Sequence, residues 1–182
     1  MKTNNLYQLI DIVGRFKDLK RKGWLIKKVI NPESDAEHSF SVALLAMLLM
    51  PAGLDEKKCL EMALTHDLAE VYCGDYTPQD NITNEEKTAQ ELAAIKRLAK
   101  ELNNEKLVSI FNEYLDKSSK ESIFINAIDK LDNVITAAYY DKNNRTSVKL
   151  TPEFAGYAQR KINELGNDDW LQDIKEVLRR IV

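Results

Sequence analysis

The sequence lacks an apolar run long enough to cross a membrane. Its longest, from Val42 to Met50, is only about half of what a bilayer core demands. The N-terminus, MKTNNLYQLID, lacks the uncharged apolar core of a signal peptide. Cysteine is scarce as well, since Cys59 and Cys73 are the only two and lie too far apart along one predicted helix to pair. These absences favour a cytoplasmic protein with reduced cysteines.

The chain also lacks an excess of positive charge, with 29 acidic residues against 26 Lys and Arg. A dedicated nucleic-acid-binding surface usually makes a domain strongly basic, so this class of function is not favoured. The balance still allows a local basic pocket for one phosphate. The 44% apolar and 30% charged residues are typical of a globular protein, and 182 residues suffice for one domain with a substantial core.

Helix start and stop signals divide the chain into about seven to eight helices joined by loops. The sequence shows no strand alternation, internal repeat or low-complexity segment. We therefore predict an all-α fold, with one compact domain over residues 1–182. Residues 19–140 form the core that carries the candidate site, and the helices of 152–182 pack on it. The predicted helices begin at Ser34, Asp55, Thr83, Asn104, Ser118, Thr151 and Asn167.

The only two histidines are both placed to face the core. His38 begins an apolar stripe in the first turn of one predicted helix, and His66 lies on the apolar stripe of the next. Asp67 follows directly, and burying a carboxylate is costly unless something neutralises it. Asp129 flanks the apolar stripe of a later helix. Any one of these alone is most simply a core histidine or a rim aspartate, but together they favour a site for Mn²⁺, Co²⁺, Fe²⁺ or Zn²⁺. Two His and two Asp ligands leave positions for water and a substrate oxygen.

The order and spacing of these residues resemble a known signature. AEH at 36–38, HD at 66–67 and the lone Asp129 resemble the H…HD…D pattern of the HD superfamily. The stretches ESDAEHSF, HDLAEVYCGDYTP and AIDKLDNVITA are similar to its 5′-deoxynucleotidase branch, and LKRKGWL resembles the segment before the first histidine there. The likeness extends from Leu19 to Tyr140. Members of that branch are helical homodimers that use a divalent cation to hydrolyse nucleoside 5′-monophosphates, preferring the deoxy forms.

The resemblance implies one divalent cation, which could be Mn, Co, Mg, Fe or Zn, held by His38, His66, Asp67 and Asp129. It also implies that Glu70 is the acid/base residue and that Asp75 lies in the active site. The spacing agrees for Glu70, which follows His66 by four residues and so shares its helical face. Alternatives stay open at this point. Glu70 could instead orient His66 or pair with a lysine, and Asp75 could bind a sugar hydroxyl or cap its loop.

Two further substrate-binding residues, Arg21 and Trp24, are implied by the same resemblance. They lie in a loop that also contains Lys22, Lys27 and Lys28. An aromatic face among cations suits a nucleotide, with stacking for the base and charge for the phosphate. Charged loops are usually only solvated and tryptophan is usually a core residue, so the resemblance decides this interpretation.

Three alternatives remain in view. An HD-type guanosine tetraphosphate (alarmone) hydrolase places an adjacent acidic pair after the HD dipeptide, whereas Glu70 is followed by Val71. Two-metal HD oxygenases and cyclic-nucleotide phosphodiesterases need extra histidines, and the chain has two in total. A non-catalytic module that only binds metal or nucleotide would keep the ligands, and the presence of Glu70 argues against it. The favoured prediction is a metal-dependent 5′-deoxynucleotidase.

Overall fold

The computed structural model describes residues 3–77 and 80–181, and over these ranges the fold is all-α, as predicted. No strand forms among them, and one isolated bridge joins Lys20 to Ser34. Eight of the ten helices in these described ranges have ten or more residues, while α2 and α5 are short. The helices are α1 Thr3–Asp18, α2 Lys22–Ile26, α3 Asp35–Leu49, α4 Glu56–Thr65, α5 Glu70–Cys73, α6 Asn84–Leu102, α7 Lys106–Asp116, α8 Lys120–Lys142, α9 Thr151–Glu164 and α10 Asp169–Ile181.

Several helix boundaries differ from the sequence prediction. The helix expected from Asp55 to Gly74 is interrupted by turns at residues 66–69, so Cys59 and Cys73 lie in separate helices, α4 and α5. The short helix α2 forms inside a segment that carried no helix prediction. Helix α8 is capped by Ser119, which exchanges hydrogen bonds with Ser122, rather than by the adjacent Ser118. The capping boxes that the sequence patterns indicate at Ser34 with Glu37 and at Thr83 with Glu86 are both present.

Helix α8 is the centre of the molecule and positions half of the candidate site. It packs against α3, α4, α7, α9 and α10, and most of its length is buried. Phe124, Ile128 and Leu131 are fully buried in the largest core cluster, which also includes residues from those neighbours. A helix surrounded on all sides must be apolar nearly all round. The polar Asp129 and Asp132 are therefore exceptions that need partners inside the protein.

The C-terminal helices pack directly on α8. Helix α9 was expected to begin with Thr151 as its N-cap, but Thr151 is already helical and the residue before it, Leu150, offers no side-chain cap. Asp141 supplies the cap from the end of α8, accepting hydrogen bonds from the backbone N–H groups of Leu150 and Thr151, both at 2.9 Å, and from the Thr151 hydroxyl at 2.6 Å. None of the described helices is long and apolar enough to cross a bilayer.

Candidate metal centre and active-site cavity

Four side chains from three parts of the fold converge on one point. His38 comes from the first turn of α3, His66 and Asp67 from the turn that follows α4, and Asp129 from the middle of α8. Nε2 of His38 lies 3.3 Å from Nε2 of His66, 3.3 Å from Asp129 Oδ1 and 3.6 Å from Asp67 Oδ2. Nε2 of His66 lies 3.3 Å from the same Asp67 oxygen. The structure thus brings His38, His66 and Asp129 together as one group, and Asp67 contacts both histidines of that group.

These separations suit the coordination sphere of one cation. Ligand atoms about 2.1 Å from a common ion lie roughly 3.0–3.4 Å from one another in octahedral or tetrahedral geometry. The measured contacts fall at or just above that range. Two imidazole nitrogens and two carboxylate oxygens are a donor set for a transition-metal dication rather than for calcium. The residues present therefore fit a divalent metal.

Nδ1 of each imidazole ring already has a hydrogen-bond partner. Nε2 of each ring therefore remains available to face the other candidate ligands. Nδ1 of His38 lies 2.7 Å from Asp132 Oδ2, and Nδ1 of His66 lies 2.8 Å from the Ala63 carbonyl. Both bonds are buried. A carboxylate or carbonyl at Nδ1 sets the tautomer in which Nε2 carries a lone pair, and this arrangement is common around metal-binding histidines.

The electrostatics of the site favour charged carboxylates beside the imidazoles. Burial alone would raise the pKa of Asp67, but His66 and the Arg21 guanidinium hold it well below its usual range. Burial and Arg21 would lower the pKa of His38, yet hydrogen bonds with Asp129 and Asp132 raise it to about 9. A bound metal would displace such a proton, so metal affinity should depend on pH.

A cluster of three carboxylates overlaps with the set of candidate ligands. One oxygen from each of Asp35, Asp67 and Glu70 lies within 4.8 Å of the other two. Asp35 is fully buried, Glu70 is 6% exposed, and neither Asp35 oxygen nor Glu70 Oε2 has a hydrogen-bond partner among the described residues. Burial and the nearby carboxylates raise the pKa of Asp35 to about 7 and that of Glu70 well above its ordinary value. Glu70 is therefore a comparatively strong base next to the candidate ligands.

The local secondary structure that positions Glu70 differs from the predicted one. It does not continue the helix of His66, because residues 66–69 form turns, and it begins the short helix α5 instead. Its backbone N–H donates to the Asp67 carbonyl at 3.0 Å, so the turn itself holds the two residues together. The expected proximity of Glu70 to the HD dipeptide is present.

The site lies at the base of a cavity of about 750 Å³. Its wall includes three of the four candidate ligands, together with Glu70, Asp75 and Arg21. Further lining residues come from α6, α7, α8 and α9, so the region after Tyr140, to which the sequence assigned no role, contributes one side. The lining residues from that region are Glu153, Phe154, Tyr157 and Arg160. A cavity of this size can hold a small organic ligand such as a nucleotide.

Arg21 and Asp75 both face the cavity, and each has a partner within the protein. Arg21 Nη1 lies 2.7 Å from Asp67 Oδ2 and 3.7 Å from Asp35 Oδ1. Asp75 Oδ2 accepts a hydrogen bond of 2.6 Å from the backbone N–H of Lys22, at the start of α2. Asp75 thus has a structural contact with α2 rather than with its own loop, and its contact with a substrate stays a prediction.

Trp24 is a correction to the sequence interpretation. Its side chain is 1% exposed, its ring stacks on Phe154 with centroids 4.4 Å apart, and Tyr140 packs against it edge-on at 5.2 Å. Its Nε1 donates to Glu33 at 2.8 Å. A nucleobase cannot stack on a ring that is packed in this way. Trp24 therefore supports the cavity wall as a core residue and does not offer the expected stacking face.

Three charged residues that are not among the predicted site residues also lie in the site. Asp132 binds His38, Lys130 lies 2.6 Å from Asp129, and Asp35 faces Glu70 and Arg21. A signal existed for Asp132, which follows Asp129 by one helical turn and so shares its face.

Comparisons with known proteins point to a family that is consistent with this candidate metal site. Residues 13–167 match an HD domain family model. The chain is 34% identical over 140 residues to the protein "5′-deoxynucleotidase HDDC2" of Homo sapiens, covering 75% of this chain and 69% of that one. It is 29% identical over 180 residues to "5′-deoxynucleotidase hdd1" of Schizosaccharomyces pombe, covering 95% and 90%. A solved conserved hypothetical protein from Pyrococcus furiosus matches with a TM-score of 0.77 at 30% identity, covering 96% and 99%. The chain belongs to the HD domain family.

Proposed function

We propose that this HD-domain protein is a metal-dependent phosphohydrolase that acts as a 5′-deoxynucleotidase, converting deoxynucleoside 5′-monophosphates into deoxynucleosides and inorganic phosphate. The observation that carries the proposal is the convergence of His38, His66, Asp67 and Asp129 beside the unpartnered Glu70, at the base of a nucleotide-sized cavity. The relatives named 5′-deoxynucleotidases support the choice of substrate class.

In this mechanism the protein holds the cation and positions the reacting groups around it. His38, His66, Asp67 and Asp129 would hold one divalent cation, which acts as a Lewis acid and makes a water molecule easier to deprotonate. Asp132 and the Ala63 carbonyl orient the two imidazole rings. Because these partners are buried, the ligands are preorganised and do not have to rearrange when the metal binds.

Glu70 is assigned the acid/base role. Its Oε2 is buried and unpartnered among the described residues, and its raised pKa makes it a strong base for a carboxylate. We assign Arg21 to the substrate phosphate, because a guanidinium suits paired contacts with phosphate oxygens. Asp75, at the cavity wall, is assigned to the sugar, whose hydroxyl group can donate a hydrogen bond to the carboxylate.

A phosphate-release assay over a nucleotide panel, with Mn²⁺, Co²⁺ and Mg²⁺ compared, tests the proposal. Deoxynucleoside 5′-monophosphates should yield deoxynucleoside and phosphate, while tri- and tetraphosphates should react poorly. Chromatography of the products separates the alternatives. Pyrophosphate released from guanosine tetraphosphate, with no nucleoside from any monophosphate, would make the protein an alarmone hydrolase. The absence of turnover with every substrate and metal would leave a binding module.

We also propose that the protein is a homodimer that buries the outer face of α3. Phe40, Leu44, Met47 and Leu48 project from this face and are 40–67% exposed. Their opposite neighbours on α3 are buried in the core, so the helix is apolar nearly all round, a pattern expected of a helix covered on both sides. Light scattering should give the mass of two chains for the wild type and of one chain for Phe40→Glu/Leu48→Glu. A monomeric wild type would contradict this.

The domain organisation and the location follow the same reasoning. We propose that residues 1–182 act as a single HD domain, because α9 and α10 share the core cluster of α3, α4 and α8. We propose a cytoplasmic location, because both cysteines are free and one of them is buried. Limited proteolysis that released a stable fragment ending before α9 would contradict the single domain.

A further inference from the structure

Lys130 lies on the outer side of a candidate metal ligand. Its ammonium group is 2.6 Å from Asp129 Oδ2, the oxygen that also accepts a 3.2 Å hydrogen bond from the Tyr114 hydroxyl. The other oxygen, Oδ1, is the one that lies 3.3 Å from Nε2 of His38. The side chain of Lys130 is 26% exposed and lines the cavity. A positive charge thus contacts a candidate ligand and also borders the cavity.

The cavity needs such a charge if an anion is to enter it. Its described lining has seven carboxylates and five cationic side chains, so even with one divalent cation bound it has no net positive charge to attract a phosphate dianion. Arg21 cannot supply that attraction alone, because its guanidinium already lies within 4.0 Å of Asp67, Asp35 and Glu33. A guanidinium held by three carboxylates is confined in position and partly neutralised.

The other lining cations are less well placed. Lys27 pairs with Glu153 at 2.7 Å and Lys87 with Glu91 at 3.4 Å, and neither carboxylate is a candidate metal ligand. Arg160 lies on α9, which carries no candidate ligand. Of the described lining cations other than Arg21, Lys130 is the one that contacts a candidate ligand directly.

We propose that Lys130 binds the phosphate of the substrate, exchanging its contact with Asp129 for one with a phosphoryl oxygen. This inference rests on the proposed function and adds a residue to it. The exchange is favourable in principle because Asp129 keeps the Tyr114 hydroxyl as a partner and would share its charge with a bound cation. A lysine ammonium is a compact charge on a flexible stem, so it can turn between two acceptors that lie side by side.

Binding of inorganic phosphate to the Mn²⁺-loaded protein, measured by calorimetry, tests this without turnover. Lys130→Met should weaken phosphate binding by about 10- to 100-fold, the effect of losing one charge-assisted hydrogen bond. Lys130→Arg keeps the charge and should recover part of the affinity. Lys27→Met removes the same charge from the same cavity and should change the affinity by no more than about twofold.

Affinity for Mn²⁺ distinguishes substrate binding from a structural role. If Lys130 only positions Asp129, Lys130→Met should weaken Mn²⁺ binding, whereas phosphate binding by Lys130 predicts Mn²⁺ affinity close to that of the wild type. An unchanged phosphate affinity in Lys130→Met, a parallel loss of Mn²⁺ affinity, or a wild type that binds no phosphate would overturn the inference. Should Lys130→Met fail to fold, Lys130→Gln replaces it. Phosphate binding that depends on Lys130 in a protein without nucleotidase activity would refute the proposed function alone.

Discussion

Asp132 Oδ2 lies 2.7 Å from Nδ1 of His38, and both side chains are completely buried. The second oxygen of Asp132 accepts a hydrogen bond from the Ser41 hydroxyl, so the carboxylate is fixed from both sides. Because Asp132 sits on α8 and His38 on α3, this pair couples the orientation of one metal ligand to the packing of two helices. The contacts with His38 and Ser41 also stabilise the buried carboxylate of Asp132, whose burial would be costly without such partners.

Asp132→Asn should weaken metal binding by about 10- to 100-fold, as expected when a residue that orients a ligating histidine is changed. The amide can present its N–H₂ group to Nδ1 and so favour the wrong tautomer of His38. Metal affinity measured by competition with a chelating dye checks this. The exposed Asp116→Asn carries the same chemical change and should bind metal like the wild type. Equal affinity in both variants would make the pair a purely structural contact.

Asp67→Ala should abolish bound metal and activity together. The wild type should also gain thermal stability from the metal, by about 2.7 kcal/mol at one hundred times the dissociation constant, or roughly 5–10 °C in Tm. The variant should lose that increment, because its remaining donors no longer enclose the ion. Elemental analysis and a thermal scan with and without Mn²⁺ make the measurement. Full metal content in Asp67→Ala would show that the ligand assignment is wrong.

Glu70→Gln separates chemistry from coordination. The amide keeps the shape of the side chain but cannot accept the proton, so kcat should fall by about 10²–10⁴. Metal content and phosphate affinity should stay near those of the wild type, because Glu70 is not assigned to the ligand set. A variant with wild-type kcat would return Glu70 to a structural role.

The sequence could predict those features that depend on neighbours along the chain. The capping boxes at Ser34 and Thr83 each involve residues three positions apart, and both form as expected. The HD dipeptide and the histidine before it were recognisable because their order and spacing resemble the H…HD…D signature of the HD superfamily. These local and ordered signals sufficed for the fold class and for the four candidate ligands.

The remaining features depend on contacts between distant segments. Asp132 and His38 are 94 positions apart, and the spacing that places Asp132 on the face of Asp129 does not indicate which residue it binds. The turn at residues 66–69 interrupts a segment whose local pattern is helical. Trp24 looked like a stacking platform among lysines, but Phe154, 130 residues later, covers its ring. Such contacts are set by how the helices pack, which single-sequence patterns do not contain.

Asp141 offers a test of stability away from the site. Asp141→Ala removes the acceptor for three donors at the start of α9 and should lower the free energy of unfolding by about 0.5–2 kcal/mol. Burial opposes ionisation of Asp141, but these hydrogen bonds hold its pKa below the ordinary value. Its contribution is therefore present above the unfolded pKa of about 3.9 and is lost as the pH falls below it. Urea unfolding at pH 7 and pH 3 checks this, with the exposed Asp173→Ala as the control.

Arg21→Ala addresses how the substrate is held. If the guanidinium mainly anchors phosphate in the ground state, KM for a deoxynucleoside monophosphate should rise by about 10- to 100-fold while kcat changes much less. Arg21→Lys should recover only part of the loss, because an ammonium cannot replace the planar, two-pronged guanidinium.

Arg21 also lies 2.7 Å from Asp67, so the metal affinity of the Arg21 variants must be measured alongside their kinetics. Removing a positive charge beside a cation site should leave that affinity unchanged or tighten it. A fall in kcat at constant KM would instead mean that Arg21 acts only in the transition state, and weakened metal binding would mean that its main role is to position Asp67.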